Sequence, residues 1–261
     1  MTSYSPEQAA AALHEARLRR HPIQALPAHI APRTEAEGAA VQRALAGRTG
    51  AGSPGGFKIG ATAQRMQEYL GLQGPAAGFM ALSNLLHSGI TVRFADFIHP
   101  GVECELAVRL ARDLPPGPCT AEQAADAVGD LIAGIEIVEN RYGELLELGL
   151  PTLIADQVFH AAAVLGEPDT RDWRSLDLGA LRGDLVVDGH RRGEGVGADL
   201  MGHPMNCLAW LAGSAVAAAF GGLRAGQVIM LGSVIPPVWM TGPASVTVEF
   251  PPLPAVHVRL S

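Results

Sequence analysis

The run Gly101-Val102-Glu103-Cys104-Glu105-Leu106-Ala107-Val108-Arg109-Leu110 sets two carboxylates two residues apart in an apolar segment. A β-strand sends positions i and i+2 to the same face. Glu103 and Glu105 would then stand side by side, with Val102, Cys104, Leu106 and Val108 filling the opposite face. Neighbouring carboxylates repel each other and lose hydration on burial, so a positive group belongs between them. A metal ion is the simplest candidate.

Composition limits the setting. The chain has 261 residues, 48% hydrophobic and 17% charged, which suits a soluble globule of one large domain or a main domain with an appendage. Net charge is -7, and basic residues gather only in short patches such as Arg17-Leu18-Arg19-Arg20 and Arg191-Arg192, so nucleic-acid binding has no footing. Cys104, Cys119 and Cys207 are far apart with no CxxC, which argues for a reducing compartment and against a zinc knuckle. Met1-Thr2-Ser3-Tyr4-Ser5-Pro6 lacks the plan of a signal peptide, and the apolar stretch 207–220 is too short and glycine-broken to span a bilayer. A cytoplasmic protein with no membrane partner is expected.

Ser5 and Pro6 open a helix over 8–20, and Thr34 with Glu37 at capping-box spacing opens a second over 34–45. Residues 1–54 therefore form a small helical N-terminal segment, bounded by the glycine-rich turn at 50–56. Residues 55–261 form the main core. There, 57–60 is a short strand, Thr62 caps a helix over 63–70, 71–78 is loop, and 79–86 is strand or helix. Strands are expected at 91–94, 101–110 and 131–138, and a helix from Thr120 to about 128. Residues 156–165 read as loop and short helix. Asp188-Gly189 marks a hairpin turn, 205–220 a buried helix, and 228–231, 245–250 and 256–260 are late strands. Late strands joined by turns favour an α+β, β-rich core over a doubly wound sheet.

Glu136 lies inside the apolar run 131–138, where an ionised acid needs a partner. Alone it equally suits a structural ion pair, and Glu103 and Glu105 alone read first as a solvated edge-strand pair. Together the three acids make an all-oxygen anionic set that favours Mg²⁺ or Mn²⁺ over zinc and leaves positions open for substrate. Lys58, between Phe57 and Ile59, is an anion clamp, a general base of lowered pKa, or a snorkelling surface lysine. His160 is a general acid/base or a structural hydrogen-bonder. No Gly-x-Ser-x-Gly elbow is present, which argues against a serine hydrolase.

Several segments resemble the 2-keto-4-pentenoate hydratases and 2-oxo-3-hexenedioate (4-oxalocrotonate) decarboxylases of the fumarylacetoacetate hydrolase superfamily. They are Phe57-Lys58-Ile59-Gly60-Ala61-Thr62, Pro100-Gly101-Val102-Glu103-Cys104-Glu105, Ile135-Glu136-Ile137-Val138-Glu139-Asn140-Arg141 and Leu153-Ile154-Ala155-Asp156-Gln157. Gly202-His203-Pro204-Met205-Asn206 and Gly232-Ser233-Val234 follow in order. The resemblance spans nearly the whole chain. It implies the β-rich core typical of that superfamily's C-terminal domain, a divalent metal on Glu103, Glu105 and Glu136, and Lys58 at the active site. It places Gln157 and Ser233 on the substrate side.

The chain departs from the pattern at Gly74-Pro75-Ala76-Ala77-Gly78, where the family carries an acid that takes part in proton transfer. His160, where the family has small residues, is the candidate replacement. The expected activity is a lyase: hydration of a 2-hydroxy-2,4-dienoate or its 2-oxo-enoate tautomer to a 4-hydroxy-2-oxo acid. The alternatives are decarboxylation of a 2-oxo-enedioate, C–C hydrolysis of an acylpyruvate, and a non-catalytic partner subunit. The resemblance also implies a homo-oligomer acting on a small 2-oxo acid, with association with a related decarboxylase or hydratase as a further expectation.

Overall fold

A computed structural model describes residues 4–20, 22, 25–143, 149–169 and 172–261. In chain order its elements are α1 (Pro6–Arg19), α2 (Glu35–Arg48), β1 (Gly56–Gly60), α3 (Gln64–Leu70), β2 (Ala76–Met80), β3 (Leu85–His87), β4 (Ile90–Val92) and β5 (Pro100–Leu110). Then come α4 (Ala121–Ala127), β6 (Val128–Glu139), α5 (Gly149–Ala155), β7 (His160–Leu165), β8 (Arg182–Val187) and β9 (His190–Val196). The chain finishes with α6 (Pro204–Ala212), α7 (Ala215–Ala219), β10 (Val228–Ser233), β11 (Val238–Trp239), β12 (Ala244–Glu249) and β13 (Val256–Leu260).

Among the described residues, one sheet of eight strands runs β2-β1-β10-β5-β6-β7-β3, with β11 pairing on β5. A second, five-stranded sheet runs β4-β13-β12-β8-β9. β5 and β6 are long, antiparallel and central. The apolar face of β5, with Val102, Cys104, Leu106 and Val108 all fully buried, joins one core cluster with Leu185, Val246 and Phe250 of the second sheet and its edge. Pleat alternation therefore gives β5 one face for the core and one for chemistry. Asp188 and Gly189 both take positive φ (49° and 77°), the geometry of a two-residue hairpin turn, and join β8 to β9 as expected.

α1 and α2 cover one end of the large sheet. The Thr34 hydroxyl accepts from the Glu37 amide, as the capping-box spacing requires, while the Glu37 carboxylate accepts from the Arg33 amide. From α2, buried Gln42 reaches the sheet: its amide donates to Ala77 O at 2.7 Å and accepts from the Phe79 amide at 3.0 Å.

Four local expectations are corrected. Ser5 begins α1, but its hydroxyl binds the Glu7 carboxylate and caps no backbone amide. Thr62 is not the cap of α3; Ala63 holds that position. Residues 76–78, read as loop from their small side chains, are strand: β2 runs antiparallel to β1, pairing Gly78 with Lys58 and Ala76 with Gly60. Weak β-propensity is outweighed here by close packing, which leaves room only for small residues. The expected single helix 205–220 is broken at Gly213-Ser214, where the Ser214 hydroxyl caps α7 by accepting from the Ala217 amide.

Candidate active site

The antiparallel register places Glu103 directly opposite Glu136, and Glu105 opposite Gly134. Opposed residues of an antiparallel pair share a face, so the pleat delivers all three carboxylates to one point. Each offers an oxygen, and these oxygens lie within 4.8 Å of one another. Glu105 and Glu136 are fully buried, and Glu103 is half-buried at the edge of a cavity. β5 lies between β10 and β6, so Glu103 and Glu105 are not a solvated edge-strand pair.

Lys58 is 2% exposed, and its Nζ stands 3.2 Å from Glu136 Oε2, which removes the snorkelling reading. His160, expected in a loop, begins β7. Pairing with β6 carries its ring to Glu136, with Nδ1 2.9 Å from Oε1. Glu105 Oε2 accepts from the Gly232 amide at 3.0 Å. Glu105 Oε1 and His160 Nε2 are buried with no hydrogen-bond partner among the described residues.

The electrostatics follow from three acids around one ammonium. Burial, reinforced by Glu136 and opposed by Lys58, pushes the Glu103 carboxyl up to about 8. Burial and the other two acids hold Glu105 well above the usual carboxylate range. For Glu136, burial is outweighed by Lys58 and His160, and its carboxyl lies below its ordinary value. For Lys58, burial is outweighed by the carboxylates, and the ammonium is held more firmly than in water. Burial lowers His160 despite the Glu136 contact. A neutral imidazole facing an ionised carboxylate must donate through Nδ1, which leaves Nε2 as a proton acceptor.

This donor set fits a hard divalent cation. Oxygen ligands on three sides, two buried carboxyls that ionise reluctantly without a further positive charge and an unpartnered carboxylate oxygen are what Mg²⁺ or Mn²⁺ satisfies.

Beside the acids opens a cavity of about 350 Å³, lined by Lys58 and Glu103 and walled by apolar side chains including Met66, Val158, Phe159 and Trp239. Among its described lining residues Lys58 is the single cation. Ser233 is close to Glu103 at a neighbouring small cavity, with its hydroxyl accepting from the Cys104 amide and donating to Cys104 O. Gln157 is buried, its amide donating to Phe79 O at 2.6 Å and accepting from Arg17.

Comparison with known proteins identifies the group to which this architecture belongs. The model of the fumarylacetoacetate hydrolase C-terminal family matches residues 58–260. The chain belongs to this family. Within it, the chain is 33% identical over 184 residues to a 2-hydroxyhexa-2,4-dienoate hydratase of Comamonas testosteroni, covering 69% of this chain and 68% of that protein. It is 34% identical over 183 residues to a 2-keto-4-pentenoate hydratase of Burkholderia vietnamiensis, covering 70% and 69%. In three dimensions it superposes on the 4-oxalocrotonate decarboxylase of Pseudomonas putida G7, solved with magnesium and adipate. That match has a TM-score of 0.88 at 25% identity, covering 98% of this chain and 97% of that one.

Asp156 and Arg141 lie inside the segments that resemble the family, and nothing in their sequence spacing marks a role for either. In the fold they form a second buried charge cluster behind His160. Asp156 Oδ2 accepts from Arg141 Nη1 at 2.9 Å, and Asp156 Oδ1 accepts from Arg17 Nη2 at 2.5 Å. Arg141 Nε also pairs with Glu139 at 3.1 Å. Despite burial, the two guanidiniums hold Asp156 below the usual carboxylate range. Arg17 lies 139 residues from Asp156 in the chain, and no spacing rule links them.

Proposed function

We propose that this chain is a divalent-metal-dependent hydratase that adds water to a 2-hydroxy-2,4-dienoate, through its 2-oxo-enoate tautomer, to give a 4-hydroxy-2-oxo acid. The observation that carries the reading is the convergence of Glu103, Glu105 and Glu136 with Lys58 at an apolar cavity. The hydratases named above support it.

Glu103, Glu105 and Glu136 would hold the metal, which when bound supplies Lewis-acid polarisation of the substrate's carboxylate and 2-oxygen. Lys58, kept charged by its carboxylate neighbours, binds the anionic head of the substrate and holds a proton at Nζ for the tautomerisation. His160, neutral and oriented by Glu136, accepts a proton at Nε2. It takes the place of the acid missing near Ala76. The apolar wall suits a hydrocarbon tail better than a second carboxylate, which favours hydration of a monoacid over decarboxylation of a diacid. Ser233, at the neighbouring small cavity, completes the substrate side, and Gln157 stands behind the wall with its amide held by Phe79 O and Arg17.

Residues 55–261 form the catalytic core in this reading, and residues 1–54 the helical segment packed on it. A cytoplasmic homo-oligomer, with or without an associated decarboxylase, is implied by the family resemblance. Among the described residues no helix is long and apolar enough to cross a membrane.

The test is an assay of the full chain with Mg²⁺ or Mn²⁺. The expected result is loss of dienoate absorbance, a 4-hydroxy-2-oxo acid by NMR, and abolition by EDTA. Release of CO₂ from a 2-oxo-enedioate without hydration of any monoacid would replace this reading with the decarboxylase. Failure to bind both Mg²⁺ and oxalate in calorimetry would leave the non-catalytic subunit.

A further inference from the structure

Between α5 and β7 the backbone turns left-handed for three consecutive residues: Gln157, Val158 and Phe159 have φ of 59°, 51° and 62°. L-residues resist this conformation, and a β-branched valine most of all, so the surroundings must impose it. The turn is wedged between two glycines. A Cβ at Gly60 would come 2.7 Å from Val158 Cγ1, and one at Gly78 would come 2.5 Å from Gln157 O.

Two guanidiniums hold its ends. Arg17 Nη2 donates to Asp156 O at 3.1 Å, just before the turn, and Arg141 Nη2 donates to His160 O at 2.6 Å, just after it. The Asp156 carboxylate ties the two together, and Arg17 Nη1 adds a hydrogen bond to the Gln157 side chain. What the turn presents is the site itself. Val158 and Phe159 wall the cavity beside Lys58 and Glu103, and the next residue, His160, meets Glu136.

We propose that Arg17 is a positioning residue for the reaction: from the N-terminal helix it locks the left-handed turn that sets the cavity wall and the His160 ring against Glu136. Arg17 lies outside residues 58–260, which match the family model, so the helical N-terminal segment completes the site. The role rests on the functional reading above, in which this cavity receives the substrate. All three nitrogens of one planar fork donate at once, a geometry that a lysine ammonium cannot reproduce. Gln157, with both ends of its amide engaged by protein, acts in this scheme by fixing the turn to Phe79 O.

The experiment compares full-length wild type, Arg17→Ala and Arg17→Lys for kcat, KM, Mg²⁺ affinity and Tm on a 2-hydroxydienoate. A displacement of about 1 Å at reacting groups costs on the order of 10²-fold. Arg17→Ala is expected to lose kcat by 10-fold to 10²-fold, with a smaller loss of Mg²⁺ affinity, because the three carboxylates stand on β5 and β6 and keep their register. The Arg17 side chain is 20% exposed, so added guanidinium at millimolar concentration should reach the gap and restore part of kcat. Arg17→Lys is expected to remain impaired. Wild-type kcat in either variant overturns the role. So does a parallel loss of Mg²⁺ affinity and kcat without guanidinium rescue, which marks general misfolding. If Arg17→Ala does not fold, folded Arg17→Lys decides by its kcat. A wild-type protein inert towards every 2-hydroxydienoate overturns the functional reading instead, and this role with it.

Discussion

Two buried charge clusters meet at His160 and are balanced in opposite ways. Around Asp156, two guanidiniums face two carboxylates, and each acid has fixed partners: Asp156 with Arg17 and Arg141, Glu139 with Arg141 and the Ile98 amide. Around Glu136, three carboxylates face one ammonium, and Glu105 Oε1 has no partner among the described residues. Burial penalises charge equally in both places. The paired cluster removes that penalty internally and serves as scaffold. The unpaired one holds two acids that ionise fully only when positive charge arrives from outside, which is what makes it the candidate site.

The contrast predicts different losses on disabling each cluster. In the scaffold, Asp156→Asn takes from Arg17 its carboxylate and leaves Arg141 with Glu139 alone, and it should cost stability of about 3 kcal/mol, read by urea denaturation with EDTA present. Mg²⁺ affinity of the folded fraction should stay near wild type. A variant as stable as wild type that no longer binds Mg²⁺ would reverse the assignment of the two clusters.

In the candidate site, Glu136→Gln keeps the shape but removes a proposed metal ligand, the counter-charge of Lys58 and the acceptor that orients His160. Even a group behind the ligands is worth about 10–100-fold in metal affinity, so a loss of at least ~10²-fold is expected in both Mg²⁺ affinity by calorimetry and kcat/KM. Unchanged Mg²⁺ affinity would remove Glu136 from the ligand set.

The smallest effect sharpens the comparison most. The Glu103 carboxyl rises to about 8 in the fold, so the folded chain binds its proton more tightly than the unfolded chain does. Stability of the metal-free protein should therefore fall as pH rises from the ordinary carboxylate range to about 8, the penalty being complete above it. Glu103→Gln should then gain ~1 kcal/mol or more at pH 9, about 2–4 °C in Tm, and almost nothing at pH 5. Excess Mg²⁺ should cancel or reverse the gain. A variant less stable than wild type at pH 9 without metal would show that Glu103 is already balanced.

Much of the site was legible because its signals are local. The alternation through 102–108 placed Glu103 and Glu105 on one face, and an acid inside the apolar run around Glu136 asked for a partner. Both follow from strand periodicity and the cost of burying charge, properties of short segments. The first three residues of β2 were not legible because alanines and glycine signal a turn, and their smallness serves packing against α2 and the left-handed turn. His160 was a candidate by residue type, yet its strand and its contact with Glu136 were not readable, because β7 pairs with a strand more than twenty residues earlier.

By itself, then, the sequence determined the donor chemistry, the central strands and the family, all written in residues that lie close together in the chain. Tertiary structure decided the rest. The β5–β6 register makes three separate carboxylates one centre, Lys58 arrives from two strands away, and Arg17 crosses from the first helix to lock the wall. These are contacts between distant segments, fixed by sheet order and packing, and no local pattern of residues encodes which of them will meet.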